Sequence, residues 1–158
     1  TREHTDEAFT AGVLHNIGRL AMDQHRPDDL RHCIEVAQTR GWTIAQAERQ
    51  VLGYTDAEVG GALALHWNFP PDLADAVARH NLDPNALPDP ASLAAYVMRA
   101  RLFARASGLT DGVEQPSTDA AATEWGVPPI SRSLAQTGGI AGIAERVAAF
   151  VESAVARA

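Results

Sequence analysis

The residues in this chain with the most chemical capacity are six histidines: His4, His15, His25, His32, His66 and His80. Imidazole binds metal or moves protons near neutral pH. No pair of them makes the H-E-x-x-H spacing of a helical zinc site. Cys33 is the single cysteine, so thiolate zinc spacings and an intrachain disulfide are both excluded. It reads as an inert, buried thiol. No G-x-x-x-x-G-K-[ST] phosphate loop and no G-x-S-x-G nucleophile elbow occurs. The pairs Gly60-Gly61 and Gly138-Gly139 have no strand before them, so they do not make a dinucleotide site. On local context alone, His15 among Ala11, Leu14 and Gly18 is a partly buried, hydrogen-bonded histidine. His80 is placed to meet free carbonyls near a helix end.

The elements that must position these residues are helical throughout. Phe9, Val13, Ile17 and Leu20 recur at helical spacing, which predicts one helix from a Thr5 cap to His25. Arg26-Pro27 opens a second helix, carried by Leu30, Ile34 and Ala37 and stopped near Gly41. Thr43-Ile44-Ala45-Gln46 and Thr55-Asp56-Ala57-Glu58 are capping boxes for a third and a fourth. Asn68-Phe69-Pro70-Pro71 ends the fourth and begins a fifth, with Leu73, Val77 and His80 facing alike. Trp67 and Phe69 read as core. After the proline-rich NLDPNALPDP, a sixth helix runs from about 92 to 107, with Leu93, Val97, Ala100 and Ala104 inward and Gly108 at its end. A polar loop over 109–117, a short helix over 119–125 and a last helix from about Gly139 follow, the last with a stripe of Ile140, Ile143, Val147, Phe150, Val151 and Ala154. No segment alternates with the period of a strand. The expected fold class is therefore all-α, one domain over 1–158, with seven to eight helices and no sheet.

Composition narrows function further. Net charge is −7 and pI about 5.2, which argues against a phosphate-backbone footprint. Arg99, Arg101 and Arg105 form one short basic cluster, read as a solvated face apart from Arg101. Hydrophobic residues make up 46% but aromatics only 6%, so small side chains must pack the helices closely. No apolar run approaches the roughly 20 residues of a membrane span. The polar start TREHTDEAF is not a signal peptide.

The segment AGVLHNIGRL, Ala11 to Leu20, resembles the metal-binding helix of the HD superfamily. With VLGYTDAEVGGALALHWNFPPDLADAVARHN and LAAYVMRARLFARASGL, it is similar to the HDOD family of bacterial signalling output domains, over Phe9 to Leu109. The resemblance implies an HD-like helical bundle whose usual N-terminal helices would be missing here. In catalytic HD proteins a His-Asp pair, further histidines and a distal Asp bind the metal that activates water. His15 keeps the histidine, but Asn16 stands for the Asp and brings no charge. Asp56 and His80-Asn81 stand where the family often has His and His-His. Arg101 falls where the distal Asp would lie, and a guanidinium repels metal.

The resemblance therefore implies a vestigial site of His15, Asn16, Asp56, His80 and Arg101. It implies no cofactor and no catalysis. The expected function is a cytoplasmic regulatory module acting through protein partners or a homodimer. A weak metal site of His15, Asp56 and His80, or a nucleotide sensor in the same cleft, is the alternative. An Arg101–Asp56 ion pair is expected to fill the place of the metal.

Overall fold

The computed structural model describes residues 2–83, 86–89, 91–106, 113, 136 and 138–156. Among these are eight helices and no strand. They are α1 (Arg2–Leu14), α2 (Ile17–His25), α3 (Pro27–Arg40), α4 (Ile44–Leu52), α5 (Asp56–His66), α6 (Pro71–Arg79), α7 (Leu93–Ala106) and α8 (Gly139–Val155). The chain divides into two compact units, 1–122 with α1–α7 and 123–158 with α8. The segments 109–112 and 119–125, Gly108, the Thr5 and His4 side chains and most of the expected α8 stripe lie outside the described residues. Within that stripe Ile143 is half-buried and Val147 exposed.

Both capping boxes form. The Thr43 hydroxyl accepts from the Gln46 N–H while the Gln46 side chain accepts from the Thr43 N–H, and Thr55 and Glu58 do the same. Such reciprocal bonds satisfy two of the donors that a helix start leaves open. Gly41 and Gly53 end α3 and α4 in the left-handed conformation, which suits a residue without a Cβ. Pro27 and Pro71 each stand in the first turn, where the missing N–H costs nothing.

The expected long first helix is two helices. The chain breaks at His15-Asn16, where Asn16 adopts φ −94°, ψ 14° and its carbonyl takes the N–H of Arg19 and of Leu20. The predicted stripe is also not the inner face: Phe9, Val13 and Leu20 are 68%, 63% and 70% exposed. Ala11, Gly18 and Met22 are buried instead. Small residues win these positions because the helices approach more closely than a leucine stripe allows. A Cβ on Gly18 would lie 1.9 Å from the Asp56 carbonyl oxygen and 2.5 Å from the Gly60 nitrogen. One on Gly61 would lie 2.6 Å from the Ala78 Cβ. Glycines thus set α2 against α5 and α5 against α6.

Two apolar clusters flank this crossing. Ala11, Ala76, Ala94 and Val97 join α1, α6 and α7. Cys33, Ala37, Ile44 and Ala47 join α3 and α4. In α7, Ala94, Ala95, Val97 and Met98 are buried, whereas Ala100, expected inward, is exposed. Arg99 and Arg105, expected on a solvated face, are half-buried. Trp67, expected in the core, is 49% exposed and leans on Phe69 with ring centroids 5.9 Å apart.

Gly18→Ala is expected to destabilise the protein by about 3 kcal/mol, because backbone atoms cannot yield to the new methyl. Gly12→Ala, at an exposed position of α1 with open space around it, should stabilise by about 0.5–1 kcal/mol. Urea melts of the two variants against the parent check both signs.

Candidate functional site

The helix break, the start of α5, the end of α6 and the middle of α7 carry the residues that the sequence singled out. Asp56 is the first residue of α5, and its side chain is fully buried. A carboxylate there is favoured by the helix dipole. Its Oδ2 accepts from Nε of Arg19 at 2.9 Å and lies 2.8 Å from Nη2. Its Oδ1 accepts from the Asn81 side-chain amide at 3.3 Å. The Asp56 backbone N–H donates to Oε2 of Glu48 at 2.9 Å. The expected Arg101–Asp56 pair is thus replaced by Arg19–Asp56. Arg19 wins because α2 crosses the first turn of α5 at Gly18, one residue away.

The histidines make a second group. His15 and His80 stand edge to face, ring centroids 5.1 Å apart. His15 Nδ1 lies 2.6 Å from the Gly12 carbonyl, and His80 Nδ1 lies 2.8 Å from that of Val77. A carbonyl accepts only, so each Nδ1 carries the proton and each neutral ring presents Nε2 as a lone pair. His80 Nε2 and Asn16 Oδ1 are buried and make no hydrogen bond. Burial pushes His15 below its ordinary pKa, and the Arg101 and Arg19 charges add to the shift. Burial pushes His80 down to about 4, with His15 and Arg101 acting in the same direction. Arg101 is therefore close enough to act on both rings. Both shifts favour the neutral ring.

Sequence reasoning missed Arg19 and Glu48. Glu48 is fully buried, and its Oε1 has no partner. Burial and the neighbouring Asp56 carboxylate raise its pKa to about 7. A signal was present: Ile44, Ala47, Glu48 and Val51 follow the spacing of one helical face, so a carboxylate stands on an apolar stripe. Cys33 is buried and its thiol is pushed up to about 11, first by burial, so it is inert as expected.

This arrangement does not fit a divalent metal of the phosphohydrolase kind. Such an ion needs anionic oxygen or several free donors. The one carboxylate of the set is engaged at both oxygens. The open atoms of the set, His80 Nε2 and Asn16 Oδ1, are neutral; Glu48 Oε1 is open beside Asp56, on a carboxyl that burial pushes toward its protonated form. Among the described residues no group of three or more His, Cys, Asp or Glu is placed to hold a metal ion. The alternative set of His15, Asp56 and His80 therefore does not assemble. Beside the site, α4, α5 and α6 border an open groove of about 850 Å³, reached by Arg49, Thr55, Glu58 and Asn81.

The chain belongs to the HDOD domain family, whose model matches residues 1–82. Arg101 lies outside that match. The fold is also similar to a crystal structure from Shewanella amazonensis SB2B, of a protein described provisionally as a phosphohydrolase. The identity is 32% and the TM-score 0.57, over 74% of this chain and 43% of the other. This chain thus spans less than half of that neighbour. No curated protein matches the chain.

Glu48 gives a pH test. Its folded pKa, about 7, is above the unfolded value near 4.5, so the folded protein binds the extra proton. Its burial costs little below pH 4.5, and stability falls as pH rises from there through 7. Glu48→Gln should therefore gain on the parent by about 1–3 kcal/mol between pH 5 and pH 8. Denaturant melts at the two pH values measure it; an equal difference at both would contradict it.

Proposed function

We propose that this chain is a non-catalytic regulatory module of bacterial signal transduction that works in the cytoplasm through protein contacts. His15, Asn16, Asp56, His80 and Arg101 are then a vestigial HD site. The observation that carries this reading is the engagement of both Asp56 oxygens by Arg19 and Asn81. A carboxylate so held has its charge balanced by a guanidinium and fewer lone pairs to offer a metal or a water. Arg101 adds a cation where the resemblance implies an acid. The exposed Phe9, Val13 and Leu20 favour a protein partner or a second copy of the chain, because large apolar side chains at the surface mark interfaces when they cluster. Net charge of −7 speaks against a nucleic acid. Among the described residues no helix is long and apolar enough to cross a membrane.

The second reading is a degenerate phosphohydrolase, favoured by the description of the Shewanella neighbour. A nucleotide sensor is the variant of that reading in which binding survives and hydrolysis does not. Phosphatase assays with manganese and a panel of nucleotides separate the readings. The regulatory reading expects no turnover above a His15→Ala/His80→Ala control and no nucleotide-dependent rise in Tm. It also expects Phe9→Ser/Leu20→Ser to weaken capture of a partner from a bacterial lysate at least tenfold. Turnover that the histidine control abolishes would establish the second reading instead.

A further inference from the structure

We propose that Glu48 is a proton-operated latch: its neutral carboxyl closes α4 on the first turn of α5, and loss of its proton frees this side of α4 and opens the groove beside it. The proposal is independent of what partner the domain meets and of whether its site turns over a substrate.

The join between α4 and α5 has an outer and an inner contact. On the outer side, Arg49 donates to the Gly53 carbonyl and pairs with Glu58 at 2.7 Å, and all three residues are exposed. The Arg49 guanidinium holds the Glu58 carboxyl below its ordinary pKa, so this contact keeps its charges across the neutral range. On the inner side, Glu48 is fully buried. Its Oε2 accepts the Asp56 N–H at 2.9 Å, and its Oε1 has no hydrogen-bond partner. The inner contact therefore rests on one hydrogen bond to a carboxyl group that can lose a proton.

Charge decides which form that contact tolerates. Arg19 from α2, Cys33 from α3 and Asp56 from α5 act on or beside Glu48, and Asp29 of α3 also acts on Cys33. Burial keeps the Cys33 thiol neutral, and Arg19 already bonds Asp56. An ionised Glu48 would place a second buried carboxylate beside Asp56, which desolvation and like charge both oppose. Asp56 is the better held of the two, with Arg19 on one oxygen and Asn81 on the other. Glu48 is thus the acid that yields. Its helix has only nine residues, too short to stand without tertiary packing, and it meets α5 through the left-handed Gly53. Gln46, Arg49 and Gln50 of α4 line the groove on one side, and Thr55 and Glu58 line it from the start of α5. A shift of α4 therefore changes the width of the groove directly.

Hydrogen exchange of the whole chain at pH 5.5 and pH 8.0, corrected for the intrinsic effect of pH, tests the latch. The upper pH lies about one unit above the Glu48 value near 7, where the ionised form prevails roughly tenfold. Amides of α4 should then exchange roughly tenfold faster than at pH 5.5, while those of Ala94 to Met98 in α7 keep their rates. Glu48→Gln has no proton to lose there, and its α4 rates should match at the two pH values. Arg49→Met removes only the outer contact, so it should speed α4 exchange more at pH 8.0 than at pH 5.5. This exposed substitution keeps the test decisive if Glu48→Gln does not fold. Four results would overturn the proposal: equal α4 rates in the parent at both pH values, a rise by the same factor in α4 and α7, a Glu48→Gln chain with the parent's pH dependence, or an Arg49→Met effect that is equal at both.

Discussion

Arg19 and Asp56 meet across a close helix crossing at Gly18, and the rest of the site is arranged around that contact. Asp56 begins α5 with its N–H given to Glu48 and its side chain given to Arg19 and Asn81. One residue thereby ties α2, α4, α5 and the end of α6 together. The crossing exists because Gly18 and Gly60 leave no side chain between the backbones. A longer separation would not bring a guanidinium from α2 onto the first residue of α5. Desolvation of both charges is a large cost, and it is offset only because every Asp56 oxygen has a donor.

The two halves of the site differ in kind. Around Asp56 the groups are charged and matched. Around His80 they are neutral and open: both imidazoles use Nδ1 on a carbonyl of their own helix turn. Burial favours their neutral forms; Arg101 reinforces that at both rings and Arg19 at His15. Burial and the neighbouring Asp56 carboxylate likewise favour the protonated form of Glu48, whose Oε2 accepts the Asp56 N–H.

Much of the fold was legible because local rules decided it. Capping boxes, N-terminal prolines and left-handed glycines act within four or five residues, and they placed α3, α4, α5 and α6 correctly. The break between α1 and α2 was not legible, since apolar residues continue at helical spacing straight through His15-Asn16. Two residues past the break, Gly18 lies against the Asp56 carbonyl, a contact that no local spacing announces. The same cause misled the choice of inner face: a Phe9–Leu20 stripe looks like core until the close approach selects Ala11 and Gly18. In the site, the histidines and Asp56 were found by motif. Their partners Arg19 and Glu48 were not, because a partner is a matter of crossing geometry and not of spacing. Arg101 drew attention through its motif position, yet Asp56 pairs with the arginine that the crossing brings nearer.

That geometry also links the exposed face of α1 and α2 to the buried ion pair. Arg19 and Leu20 are neighbours on α2, and they point to opposite sides: Arg19 is buried on Asp56, while Leu20 is 70% exposed. Phe9 and Val13 are likewise exposed on α1, just before the break. A surface contact made by these residues therefore bears directly on the two helices that meet at His15-Asn16. With backbones in contact at Gly18, α2 cannot slide along α5 without disturbing the ion pair, because a packed crossing shifts between discrete arrangements more readily than it deforms. Such a movement would expose a guanidinium and a carboxylate, so the ion pair gives the crossing a defined resting state and a cost for leaving it.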